Sequence, residues 1–121
     1  MSIRASISNQ GNITVISLQG KLDFESQDIL RENIVNLMRE GRQVVIDLED
    51  LSFIGSSGVT QLFHSLAEYS SSDNAPLRFC NVKSELRRII NAYDLKKTFA
   101  IHSSREEALN GFFRSGQGEN N

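Results

Sequence analysis

The sequence predicts an α/β fold built on a mixed sheet, and three features point to it. Two alternating apolar runs near the N-terminus flank a turn signal, which reads as an antiparallel hairpin. Strand-like and helix-like segments then alternate to the end of the chain. The first strand-like segment after the hairpin, Val44-Val45-Ile46-Asp47-Leu48, is a β-branched run of the kind found in buried strands. Inner strands of such a sheet are expected to be parallel, with right-handed crossovers.

In the hairpin, Ile3, Ala5 and Ile7 alternate with polar residues, which predicts a half-buried strand. Asn9-Gln10-Gly11-Asn12 is the turn. Ile13, Val15 and Leu18 resume the alternation, with Ile16 an extra apolar residue and Gly20 as the expected end. Lys21-Leu22-Asp23 leads into a helix from about Glu25 to Glu40, capped by Asp23 or Ser26. Glu25 and Asp28 suit the dipole at its start. Leu30, Ile34, Leu37 and Met38 form its apolar stripe, and Gly41 is the expected C′ residue.

The stretch from Val44 to Leu66 carries the centre of the fold. After the strand comes a polar turn at Glu49-Asp50, then a short apolar run from Leu51 to Ile54. Gly55-Ser56-Ser57-Gly58 breaks that run, and the period then becomes helical. Val59, Leu62, Phe63, Leu66 and Ala67 share one helix face. Two serines and two glycines therefore stand where a strand hands over to a helix N-terminus. Unpaired N–H groups and the helix dipole favour negative charge at such a place. A serine there can act as N-cap, and a phosphoserine would also be accommodated.

Beyond the loop that holds Pro76, Leu77 to Val82 reads as another inner strand. It places Cys80 in the core, where a thiol reacts slowly. Ser84 looks like the cap of a short helix whose stripe is Leu86, Ile89, Ile90 and Tyr93. Phe99-Ala100-Ile101 supplies a last strand. Ser104 and Glu107 fit a capping box for a terminal helix with Ala108, Leu109, Phe112 and Phe113 as its apolar face. Residues 1–113 make one domain, and 114–121 a polar, glycine-rich tail expected to be disordered.

Composition narrows the function. With 121 residues, 39% of them hydrophobic, one modest core is expected. Thirteen basic against fifteen acidic residues give a formal net charge of −2. That balance argues against a general nucleic-acid or anionic-membrane surface. No apolar run approaches the roughly 20 residues of a membrane span. Met1 to Ser6 lacks the apolar region of a signal peptide, and Cys80 has no cysteine to pair with. A cytoplasmic, soluble domain is the expectation.

Enzyme chemistry finds little support. A nucleophile elbow needs glycine two residues either side of the serine. Ser57 has Gly55 and Val59 there, and Ser56 has Ile54 and Gly58, so neither fits. The phosphate-loop pattern is absent. One cysteine and the scattered His64 and His102 make no metal-ligand cluster. Asp47, Glu49 and Asp50 read as a solvated acidic strand end. Lys83, Arg87, Arg88, Lys96 and Lys97 read as a solvated face, with a partner patch as the alternative. No cofactor is implied.

The Gly20-Lys21-Leu22-Asp23 turn, the strand VVIDLEDLSFI and the helix start Ser56-Ser57-Gly58-Val59 carry a resemblance. SELRRIINAYDL and FAIHSS match in style. The chain resembles the STAS domain over roughly residues 3 to 113, and within that family the anti-sigma factor antagonists of bacteria. The resemblance implies a mixed sheet of four or five strands, with about four helices packed mainly on one face.

It also implies partner switching in the control of transcription. The unphosphorylated antagonist binds an anti-sigma factor that is a serine kinase of the GHKL type, and so frees a sigma factor. The kinase phosphorylates a serine at the start of the second helix, and a PP2C-type phosphatase reverses this. By position the acceptor is Ser56, less favourably Ser57. The implied partner surface is Asp23, Gly55, Ser56, Ser57, Gly58 and Val59. Antagonists of this kind usually carry aspartate just before the acceptor, where this chain has Gly55. The alternative is a non-switching structural STAS subunit of a stress-signalling or lipid-transport complex.

Overall fold

The computed structural model describes residues 3–22, 24–53, 62–66, 77–92 and 100–120. A two-residue turn, Gly11 and Asn12, joins β1 (Ile3–Gln10) to β2 (Ile13–Leu22). The strands pair antiparallel, from Gln10 opposite Ile13 to Ile3 opposite Gly20. Gly11 takes a left-handed φ of 59°, which this tight connection requires and glycine adopts without steric cost. Strand β2 passes Gly20, its expected end, and stops at Leu22.

Helix α1 (Phe24–Arg39) returns the chain toward the hairpin turn. Its start at Phe24 puts Ser26 inside the first turn and buried, rather than at the cap. Its C-terminus closes as a Schellman motif. Gly41 N–H donates to Met38 O at 3.0 Å and Arg42 N–H to Leu37 O at 3.1 Å. Arg42 then reaches over the hairpin, donating through Nη2 to Asn9 Oδ1 and to Gly11 O, each at 3.0 Å. One helix end is thereby tied to the turn that begins the sheet.

Strand β3 (Gln43–Phe53) runs parallel to β2. The polar turn expected at Glu49-Asp50 is instead a β-bulge. Ser17 pairs with Asp47 while Gln19 pairs with Asp50, so β3 carries one extra residue. That residue shifts the strand's phase. Val44, Ile46 and Leu48 face one core, and past the bulge Leu51 rejoins it. Without the bulge, Asp50 would hold the buried position.

Residues 62–66 are helical and form the described part of α2. Strand β4 (Leu77–Cys80) pairs parallel with β3 and stops at Cys80, two residues short of the expected Val82, just before Asn81, whose φ is 56°. Helix α3 (Ser84–Ala92) follows, its first bond running from Arg87 N–H to Lys83 O at 2.9 Å. Ser84 is thus the first helical residue and Lys83 the cap. Strand β5 (Ala100–His102) pairs parallel with β4. Helix α4 (Arg105–Asn120) closes the chain, its helical backbone continuing over 114–120.

The sheet has five strands in the order β1-β2-β3-β4-β5, with only the first pair antiparallel. Crossovers that step in one direction with one hand lay their helices on one face. Accordingly Leu30, Ile34, Leu62, Phe63, Leu66, Leu86 and Ile90, from α1 to α3, share a core with Ile16, Ile46 and Phe79. Phe63 meets Phe79 edge-on, ring centres 5.1 Å apart. Among the described residues, helix α4 packs alone on the opposite face, where Ala108 and Phe112 cover Ile13, Val15, Val45 and Cys80.

Strand β1 departs from expectation. Ile3 is half-buried, but Ala5 is exposed and Ile7 is 61% exposed. The alternation does set one face toward the α1 side. However, α1 packs toward β3, and beyond Ile3 nothing among the described residues covers the edge strand.

Candidate functional site

The two turns singled out by the sequence arise from neighbouring strand ends. Strands β2 and β3 are parallel and stop side by side, with Leu22 paired to Phe53 and Lys21 to Ser52. After β2 the chain passes through one residue and becomes α1 at Phe24. After β3 it passes through 54–61 and is helical again at Leu62. Asp23, Gly55, Ser56, Ser57, Gly58 and Val59 themselves lie outside the described residues, as do Ala67, Tyr93, Lys96, Lys97 and Phe99.

The footing of these turns is well defined. Leu22, Leu51, Leu62, Phe63 and Leu66 are all buried in one core cluster, which includes Leu30 of α1. Both strand ends and both helices are therefore anchored by apolar burial within a few residues of the turns. Each such side chain contributes about 1.5–3 kcal/mol. The bulge in β3 matters here, because it keeps Leu51 pointing inward two residues before the strand ends. The surroundings are polar on one side and apolar on another. Gln19, Lys21 and Ser52 are exposed at the strand ends, whereas Ile29 of α1 is 53% exposed. An open groove of about 170 Å³ runs between β1 and α1, lined by Ile3, Ala5, Leu18, Ser26, Ile29 and Asn33.

On the α4 face, Asp47 overturns its reading as part of a solvated acidic turn. It is buried on β3 and accepts four hydrogen bonds. Asn81 Nδ2 donates at 2.9 Å, the Glu49 N–H at 3.1 Å, and Arg105 Nε and Nη2 at 3.1 and 3.0 Å. Arg105 also donates to Ser17 Oγ. Burial pushes the Asp47 carboxyl upward, but the bonds from Asn81, Glu49 and Arg105 outweigh it and hold the group below its usual range. This network pins the start of α4 to β3 and the residue after β4. The sequence signal for it was a lone aspartate inside VVIDL. Asn81 and Arg105, 34 and 58 residues further on, lie too far along the chain to be read from spacing.

Cys80 is buried as expected, and burial, followed by the nearby Asp47 charge, pushes its thiol to about 12. His64 is exposed on α2, and His102 lies on β5 against α4. No group of three metal-ligating side chains forms among the described residues. Lys83, the cap of α3, and Arg87 and Arg88 on it are exposed, with Arg87 Nε donating to Val82 O at 2.9 Å. No helix among the described residues is long and apolar enough to cross a membrane.

The fold defines a small mixed-sheet α/β domain in which β2 and β3 end side by side. The family model for the STAS domain matches residues 4–108, and the chain belongs to the STAS domain family. An anti-sigma-F factor antagonist of Mycobacterium tuberculosis is 30% identical over 113 residues, which cover 91% of this chain and 89% of that protein. Among solved structures, an anti-sigma factor antagonist from Mycobacterium paratuberculosis superposes with a TM-score of 0.75 at 23% identity. The match covers 92% of this chain and 94% of that one. The Bacillus cell fate determinant SpoIIAA in its phosphorylated form superposes at 0.66 and 22% identity, over 88% and 97% of the two chains. These superpositions establish the shared fold.

Proposed function

We propose that the protein is a cytoplasmic, non-enzymatic anti-sigma factor antagonist that works by partner switching. The observation that carries this reading is the pairing of Leu22 with Phe53. It starts the Asp23 turn and the Gly55 to Val59 segment from adjacent strand ends on one edge, as one partner surface requires. The similarity to a mycobacterial antagonist supports the same reading, and the existence of a phosphorylated neighbour structure supports the switch. In the proposed cycle, the unphosphorylated surface binds an anti-sigma factor that is also a GHKL-type serine kinase. Phosphorylation of Ser56, or less favourably Ser57, releases it, and a PP2C-type phosphatase restores binding.

The physical basis is local. A phosphate adds about −1.5 to −2 charge. A helix N-terminus tolerates that charge within its own domain. A partner surface packed against the same turn meets new bulk and an unpaired charge. Such a change costs roughly 3 kcal/mol, or more than about 100-fold in affinity, with no change of fold.

Gly55 predicts slow phosphorylation. Aspartate there could hydrogen-bond the turn and orient the hydroxyl, and glycine cannot. The test is incubation with the cognate kinase and ATP, read by mass spectrometry, for the native protein and Gly55→Asp. Phosphate on Ser56 in both, faster in the variant, is the expected result. No phosphate on either would favour the second reading, a non-switching structural STAS subunit, which Gly55 itself supports.

A further inference from the structure

Helix α4 meets the sheet over one arginine and one histidine. Arg78 of β4 donates from Nη1 to His102 Nε2 of β5 at 3.0 Å. A guanidinium can only donate, so Nε2 carries the lone pair and the imidazole proton sits on Nδ1. That side faces Glu107 of α4, whose Oε1 is 3.5 Å from Nδ1. Glu107 is held in turn by Ser103 Oγ at 2.7 Å.

The helix sits closely on this pair. The Arg78 guanidinium lies 4.4 Å from the centre of the Phe112 ring. A Cβ added to Gly111 would come within 2.8 Å of Arg78 Nη1 and 3.3 Å of His102 Cε1. Arg78 Nε is buried without a hydrogen-bond partner among the described residues. The guanidinium is thus enclosed by Phe112, the α4 backbone and the imidazole, with little space in which to withdraw.

We propose that His102 makes the seating of α4 pH-dependent. Protonation at Nε2 replaces the Arg78–His102 hydrogen bond with two cations in contact and loosens α4 from the sheet. Among the described residues, the charged groups facing the imidazole are Arg78 from β4 and Glu107 from α4, and these act in opposite directions. The nearby Asp47 carboxylate is already engaged by Asn81 and Arg105. Burial first, then Arg78, holds His102 below its ordinary value of 6.5, and Glu107 only partly offsets them. A base whose folded value is depressed favours its neutral form in the seated state. The stabilisation is complete above the ordinary value and falls as pH drops toward the folded value, below which the loss levels off. Loosening α4 uncovers the second core, which includes Val15, Val45 and Cys80.

Hydrogen exchange of the full chain tests this, corrected for the intrinsic pH dependence and read on α4 with α1 as internal reference. Protection of Ala108 to Phe112 is expected to fall by about tenfold per unit of pKa depression between about pH 7.5 and about pH 5, while Ile34 and Val35 hold. His102→Gln can accept from Arg78 and does not titrate, so its α4 protection should stay flat. Arg78→Met removes the opposing cation but leaves the burial of the imidazole, so it should shrink the fall relative to the native protein, whatever its effect on absolute protection. A flat profile in the native protein overturns the proposal. So does a fall of equal size in both variants, which would place the titration elsewhere.

Discussion

Asp47 shows how one side chain joins distant parts of this chain. Its carboxylate lies on β3 and receives Arg105 from 58 residues further on. Removing it leaves Asn81 and Arg105 without their acceptor in a half-dry setting. A fully buried pair broken on one side costs about 3–5 kcal/mol. The Arg105 side chain is 45% exposed and can be rehydrated, so Asp47→Ala should cost about 2–3 kcal/mol. Urea denaturation near neutral pH measures this. The same residue predicts acid sensitivity. Its folded pKa lies below the ordinary carboxyl value of 3.8, so its stabilisation is present above that value and lost as pH falls through the folded one. The variant should therefore lose less stability than the native protein on acidification from pH 5, and an equal loss would show that Asp47 contributes no pH-dependent stabilisation.

At the scale of elements, the end of α1 offers a clean test. Gly41 has a φ of 81°, and no atom lies within 4 Å of where a Cβ would sit. A substitution there meets conformational strain but no clash. Gly41→Ala should lower stability by about 1 kcal/mol through the left-handed backbone alone. For a domain of this size that is a fall of roughly 4 °C in Tm. An unchanged Tm would show that the helix ends acceptably without the Schellman bonds to Leu37 and Met38. Strand β3 teaches a different lesson. Its apolar positions Leu48 and Leu51 are three apart, which reads in one dimension as a strand, a turn and a second strand. Pairing with β2 resolves it as one bulged strand. The bulge depends on a neighbour that no local window contains.

At the scale of the whole molecule, the proposed function depends on a surface that acts while the fold stays fixed. Ser56→Asp should weaken binding to the cognate kinase by about tenfold or more, and Ser56→Ala should preserve it. Titration calorimetry with the kinase measures both, and matching thermal melts would show that the fold is unchanged. Aspartate imitates phosphate poorly, so the phosphorylated protein is the stronger comparison. Equal affinity of all three forms would remove Ser56 from the interface.

The sequence by itself determined the fold class, because hydrophobic period is local: alternation gave β1 and β2, and the 3.6-residue stripe gave α1, α3 and α4. It also singled out Asp23 and Gly55 to Val59 as a candidate partner surface, through glycine and serine ahead of a helical period and through the family resemblance, and these residues lie outside the described ones. Tertiary structure decided what local pattern cannot hold. It left Ile7 exposed, because alternation marks a face without saying what covers it. It paired Asp47 with Arg105, and Arg78 with His102, through contacts between residues far apart in the chain. It also set Leu22 beside Phe53, so that β2 and β3 end side by side. Burial, partner choice and adjacency are properties of packed neighbours, and the folded sheet alone supplies them.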